Sequence, residues 1–333
     1  RNVMKAKCTA VIIAAILSVT LAGSSIAEDI NAYMGTSPDN NARIAKFIKD
    51  KTGITVNQTF QSFGEIEARV KAEAPNFNAD MIIGCGSSTG FMAKKNGWSV
   101  PYVSPAWAGV PDVFMDPKGD WYNIANFSFV LVGNRDRLAK AGRKMPDSWK
   151  ELLDPKWKGE IIMPSPLSSG TANMMRYSFL ALYGDAEGWK FIEALDKNIA
   201  YYTRSGNAPT DLVGRGEFML GLTSDENVKK RLDDGYPLLW SIPREGTGYD
   251  GTFALIFKNT RKLAACKKVI DLLGGQEFSN LMAEIGYITP RPAANKLYGK
   301  ILPKYIKLDL GKAADDKAKN NDIWKQKLRS DFK

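Results

Sequence analysis

Residues 146–171 read Pro-Asp-Ser-Trp-Lys-Glu-Leu-Leu-Asp-Pro-Lys-Trp-Lys-Gly-Glu-Ile-Ile-Met-Pro-Ser-Pro-Leu-Ser-Ser-Gly-Thr, and three local elements follow from them. Ser148 stands where it can cap a short helix carrying Trp149, Leu152 and Leu153, and Pro155 ends that helix by disfavouring helical geometry at Asp154. Gly159 lets the chain turn into Ile161, Ile162 and Met163, a short buried strand closed by Pro164. Then come Ser165, Ser168, Ser169, Gly170 and Thr171, after which Met174, Met175, Tyr177, Phe179, Leu180 and Leu182 have the apolar spacing of a helix. A strand that ends in a hydroxyl-rich loop opening a helix suits an anion. The first amides of a helix have no intrahelical partner, the helix end carries about half a positive charge, and the hydroxyls add donors. Serines in such a loop also serve simply as caps, so this stretch alone leaves both roles open.

The pattern P-x-x-W-x-x-L-L-D-P-x-x-K-G-x-I-x-x-P-x-P-x-x-S-G-T, as it stands in these residues, resembles one family. It is that of the periplasmic solute-binding proteins of ABC importers, including the ferric-, thiamine-, aminoethylphosphonate- and hexose-phosphate-binding proteins. The resemblance covers most of residues 30–295. It implies a two-lobed α/β fold of the type II periplasmic binding proteins, each lobe a mixed, mostly parallel sheet flanked by helices, with a hinge of two crossing strands. It also implies a monomer that is no enzyme, holds no cofactor and hands a small anionic solute to a permease in the membrane.

Length and charge agree with an ordinary globular protein of two domains: 333 residues, 44% hydrophobic and 25% charged. The first 27 residues differ. Lys5 and Lys7 precede an apolar run from Ala10 to Leu21, and small residues including Ser25 and Ala27 suit a signal-peptidase site before Glu28. The run is too short for a membrane span, which predicts export to the periplasm. Leu21, Ala22, Gly23 and Ser24 resemble a lipoprotein box with serine where the lipidated cysteine would stand. Removing residues 1–27 takes out Arg1, Lys5 and Lys7 and lowers the net charge from +10 to +7. The remaining Lys and Arg are dispersed, apart from a basic tail from Lys296 onward, and form no nucleic-acid recognition motif. The chain contains no histidine, which rules out His-based metal sites and the Ser-His-Asp triad.

Read in order, the chain repeats the arrangement of the opening stretch. Asp29 to Gly35 predicts a strand followed by Thr36, Ser37 and a helix begun by Pro38. Ala79 to Ile83 predicts a strand followed by Ser87, Ser88 and Thr89. Phe127 to Gly133 reads as a strong strand crossing into the second lobe. Residues 98–120 read as loops over the first lobe that could bring Trp98 or Tyr102 to the cleft. Ile199 to Thr203 leads to Arg204-Ser205-Gly206-Asn207, and Phe218 to Leu222 leads to Thr223-Ser224-Asp225-Glu226. Alternating strands and helices argue for a parallel-dominated sheet with ligands at the carboxyl ends of strands. The expected division is a signal peptide over 1–27, a first lobe of 28–126 plus 250–333, and a second lobe of 127–249.

The candidate ligand contacts are Thr36, Ser37, Ser87, Ser88, Ser168, Ser169, Gly170, Thr171, Arg204, Ser205, Asp225, Glu226 and Glu245. Amides and hydroxyls of this set suit a phosphate, with Arg204 or Arg244 adding charge, whereas the carboxylates would face the other end of the ligand and accept from hydroxyls or an amine. This predicts a phosphorylated organic solute of the hexose phosphate, phosphonate or phosphorylated vitamin type. Ferric iron is the alternative. Iron-binding relatives use adjacent tyrosines after the strand matching Phe218 to Leu222, where this chain has Thr223 to Glu226. The pair Tyr201 and Tyr202 lies on an earlier strand whose successive residues face opposite ways. A remoter alternative is an enzyme: thiaminases of this bilobal fold use a cysteine nucleophile, and Cys85 sits in a glycine loop ahead of a helix. Cys85 and Cys266 could instead pair in an oxidising compartment.

Overall fold

The computed structural model describes residues 29–291, 293 and 304–328. The expected signal segment lies outside these residues. The chain opens β1 (Asp29–Met34), α1 (Pro38–Thr52), β2 (Thr55–Phe60), α2 (Phe63–Glu73), β3 (Met81–Cys85), α3 (Ser87–Lys95). It then runs through β4 (Tyr122–Asn134), α4 (Arg135–Lys140), β5 (Ile161–Pro164), α5 (Gly170–Tyr183), α6 (Asp185–Asp196), β6 (Ile199–Thr203) and α7 (Ala208–Gly214). β7 (Leu220–Ser224), α8 (Asp225–Asp233), β8 (Leu238–Ser241), β9 (Tyr249–Ile256), α9 (Leu263–Leu273), α10 (Gln276–Ile285), α11 (Leu310–Asp315) and α12 (Lys317–Lys327) complete it.

β4 decides the architecture. All its residues are buried, the polar Asn123, Asn126, Ser128 and Asn134 as well as the apolar ones, as befits a strand at the centre of the sheet. Tyr122 to Ser128 pair antiparallel with β9, whereas Phe129 to Gly133 pair antiparallel with β7 and Leu131 to Asn134 with β8. One strand therefore serves two half-sheets. In the first, β2, β1 and β3 are parallel and β9 lies antiparallel between β3 and β4. In the second, β7, β5 and β6 are parallel. Each half is thus mixed, and its antiparallel pairs are those made by β4, β8 and β9.

The opening stretch folds largely as its sequence implies. β5 inserts between β6 and β7, and its serine loop opens α5. The helix expected over residues 149–153 is instead a 3₁₀ turn, Lys150–Leu153, followed by a second, Pro155–Trp157. Pro155 leaves too few residues between Ser148 and itself for an α-helix. Beyond Phe218 the strand starts two residues later than the sequence suggests, because residues 208–214 form α7. Pro209 occupies the first turn of that helix, a start signal the run Asp211 to Glu217 obscures.

The C-terminal segment touches both halves. Lys95 of α3 pairs with Asp315 at 2.7 Å, and Lys317 pairs with the buried Glu67 of α2. Farther on, Trp324 packs edge-on against Tyr202 at 5.4 Å, and Asn321 accepts from Arg176 at 2.9 Å. Through α12 the segment thus packs Trp324 against β6 of the second half-sheet while Lys317 reaches α2 beside the first.

Candidate functional site

Helix starts from both halves face one gap. From the first half come Thr36 and Ser37 at the start of α1, and Ser62 and Phe63 at the start of α2. From the second come Ser169 and Thr171 at the start of α5, the Ser205 to Asn207 turn, and Glu226 at the start of α8. Phe60, Phe127 and Tyr287 complete the wall. Among the described residues, no Lys or Arg lines this gap, so helix amides and hydroxyls are its donors.

The capping geometry shows why these hydroxyls stand there. Ser37 Oγ accepts from the Asn40 amide at 3.3 Å, and Ser169 Oγ accepts from the Ala172 amide at 3.3 Å. A hydroxyl that caps also retains its own hydrogen for another acceptor. Thr171, the second residue of α5, lies beside Gly206, where an added Cβ would stand 2.8 Å from Thr171 Oγ1 and 3.4 Å from Ser169 Oγ. Only a glycine lets the 205–207 turn approach these hydroxyls so closely.

Glu226 lines the same gap. Its Oε1 accepts from Ser224 Oγ at 2.7 Å and from Asn227 Nδ2 at 2.9 Å, while Oε2 is buried without a protein partner. Burial, followed by the adjacent Asp225 carboxylate, raises its pKa well above the usual carboxylate range. Burial, with Glu226 and Asp225 beside it, likewise holds the Tyr287 phenol protonated to high pH. A buried carboxyl with one unsatisfied oxygen calls for a ligand hydroxyl, an amine or water.

The two halves are drawn tightly together. Ser62 Oγ donates to the Ser168 carbonyl at 3.4 Å, Lys230 of α8 pairs with Asp39 of α1 at 2.8 Å, and Arg204 approaches Glu65 at 3.7 Å. A Cβ at Gly64 would overlap the Ser168 carbonyl, and one at Gly170 would meet Phe63 Cβ at 2.6 Å. The gap has a cavity volume of about 20 Å³, room for little more than a single water, so the halves must part to admit a solute.

The structure brings Thr36, Ser37, Ser169, Thr171, Ser205 and Glu226 to the gap, with Gly170 against its Phe63 wall. It places the other candidates elsewhere. Ser168 Oγ donates to the Arg204 carbonyl at 2.9 Å, and the Arg204 side chain is 75% exposed. Ser87 is buried with its amide on Asp250, and Ser88 Oγ donates to Glu67 at 2.6 Å. Asp225 accepts from the Ser128 amide at 3.1 Å, fastening α8 to β4. Glu245 accepts from Ser148 Oγ and the Trp149 amide, and Arg244 is paired at the surface with Asp147 and Glu151. Trp98 lines a separate groove of about 790 Å³ between α2, α3 and the C-terminal helices, and Tyr102 bonds Asp271. Phe60, Ser62, Phe63, Phe127 and Tyr287 were not singled out by sequence. Only Ser62, with Glu65 three residues on, carried a local signal, the capping box now seen at α2.

The chemistry of the alternatives can be weighed on the same geometry. Cys85 and Cys266 are buried and are not joined by a disulfide. Burial, then the Asp250 and Glu67 charges, push the Cys85 thiol far up, the reverse of what a nucleophile requires. Tyr201 packs on Phe218, whereas Tyr202 donates to Asp196 and packs on Trp324, so the pair faces two ways. No three His, Cys, Asp or Glu side chains gather as a metal site among the described residues.

Two helix-flanked half-sheets sharing a strand, with helix starts from both around one gap, define a two-lobed binding-protein architecture. Residues 76–326 match the family profile described as bacterial extracellular solute-binding protein. The chain belongs to that family. It is similar to an uncharacterized protein of Haemophilus influenzae, 34% identical over 215 residues, a match covering 62% of each chain and so less than two thirds of that relative. Among solved structures it resembles the periplasmic binding protein AfuA from Actinobacillus pleuropneumoniae with fructose-6-phosphate bound. The identity is 25%, the TM-score 0.81, and the match covers 91% of this chain and 99% of the other. The fold is shared with the apo ferric ion-binding protein A of Pasteurella haemolytica, at 21% identity and a TM-score of 0.75 over 92% and 100% of the two chains.

Proposed function

We propose that the protein is the exported solute-binding component of an ABC importer, and that its ligand is a small phosphorylated organic molecule. One observation carries the reading: α1 and α5, from opposite halves, bring their hydroxyl-bearing starts to one gap that the buried Glu226 carboxyl also lines. A phosphate at the helix starts accepts from amides and from Ser37, Ser169 and Thr171. Glu226 then meets the hydroxyl-bearing part of the ligand, where its unpartnered Oε2 can accept a hydrogen bond from a hydroxyl or, when protonated, donate one. The fructose-6-phosphate of the AfuA structure agrees with this chemistry. β4 and the chain entering β9 act as the hinge, and a ligand bonded to both halves selects the closed form that a membrane permease recognises.

Calorimetric titration of the intact chain tests the ligand class. Fructose 6-phosphate, aminoethylphosphonate, pyridoxal phosphate, thiamine phosphate, inorganic phosphate and Fe(III) citrate form the panel. At least one phosphorylated organic compound is expected to bind more tightly than inorganic phosphate. Binding of Fe(III) alone overturns the ligand assignment.

A further inference from the structure

We infer that the gap is only the inner half of the binding site, and that the chamber outside it receives a second, hydroxyl-rich ring, so that the ligand is a phosphorylated disaccharide or comparable glycoside. This inference rests on the phosphate-ester reading. The outer chamber offers about 400 Å³ open to water, within the range of small-ligand sites, and it shares Ser37, Phe60, Ser205 and Asn207 with the inner gap. The two spaces are thus neighbours along these four residues, and a ligand that parts the halves can reach from one into the other.

The lining fits a neutral polyhydroxylated group. Lys230 faces Asp39 at 2.8 Å and Asp234 at 3.3 Å, and Arg231 faces Asp211 at 2.5 Å and Asp234 at 2.8 Å. These cations are matched by carboxylates, so the chamber has no surplus positive charge for a second phosphate. Carboxylates, ammonium and guanidinium instead supply acceptors and donors for sugar hydroxyls, and the Asn207 side-chain amide can act as either. Phe60, at the end of β2, is 43% exposed and lines both spaces. An aromatic ring left open at a site mouth offers a flat apolar face on which a sugar ring can lie.

The test is calorimetric titration of the intact chain with glucose 6-phosphate, trehalose 6-phosphate, maltose 6′-phosphate and sucrose 6-phosphate. At least one disaccharide phosphate is expected to bind tenfold or more tightly than glucose 6-phosphate. Ala208→Phe fills the outer chamber from the half-buried first residue of α7 and is expected to erase that advantage while glucose 6-phosphate still binds. Phe60→Ala is expected to weaken the disaccharide phosphate more than the monosaccharide. If glucose 6-phosphate binds as tightly as every disaccharide phosphate, or Ala208→Phe leaves their ratio unchanged, the outer subsite is overturned while the phosphate-ester reading stands. If no phosphate ester of either series binds and the wider panel also fails, both fall.

Discussion

Replacing Ser169 and Thr171 together with alanine is expected to weaken binding of the phosphorylated ligand on the order of a thousandfold. On the proposed reading each hydroxyl donates to a charged acceptor, and hydrogen bonds of that kind contribute about 1.5–3 kcal/mol. The two act from the first turn of α5, where the helix end adds its own attraction for an anion, and the Gly206 turn covers them from water. Ser169 also caps α5, so the double variant should lose about 1 kcal/mol of stability, visible without ligand and separable from the binding defect. Ser168→Ala is the control. Its hydroxyl is spent on the Arg204 carbonyl, and affinity should change by no more than about threefold. Equal affinities for the double variant and the parent, measured by calorimetry, would remove the α5 start from the site.

The second large effect concerns Asp250, buried on β9 just behind the gap. Its Oδ1 accepts from the Gly251 amide at 2.7 Å and the Ser87 amide at 3.3 Å, while Oδ2 has no protein partner. Burial outweighs these bonds and pushes its pKa up to about 7 from an ordinary 3.8. A carboxyl raised on folding binds its proton more tightly in the folded state. Its contribution to stability is complete below about pH 4, falls as the pH rises, and is gone above about pH 7. The rise corresponds to about 4 kcal/mol. Asp250→Asn keeps the Oδ1 acceptor and removes the titration, so it is expected to stabilise the protein at pH 8 by up to about 4 kcal/mol and to flatten the pH dependence between 4 and 7. Denaturant titrations at pH 5 and pH 8 check this. An unchanged difference between the two pH values would show that Asp250 ionises freely in the folded protein.

Much of this organisation is legible in the sequence, for a physical reason. Strand, hydroxyl loop and helix start are local features, so Thr36, Ser37, Ser169 and Thr171 can be picked out before any contact is known. What is not legible is which of several similar loops point at one another. Ser88 and Ser169 look alike in sequence, yet Ser88 turns to a buried Glu67 that only the tertiary fold supplies. Glu245 appears available for a ligand until the loop carrying it folds back on Ser148 and Trp149, almost a hundred residues earlier in the chain. Phe60 and Tyr287 fail in the other direction. One ends a strand and the other follows a glycine at φ 121°, and nothing local marks either as a wall of the gap. The double bond of the C-terminal segment to both halves is hidden for the same reason, since Trp324 and Lys317 find partners more than a hundred residues away.

The most direct test of the account is native mass spectrometry of the protein purified from cells exporting it, followed by release and identification of whatever it carries. One bound organic molecule bearing a phosphate is expected, lost from the Ser169→Ala, Thr171→Ala variant. A bound mass of iron, retained by that variant, would contradict it.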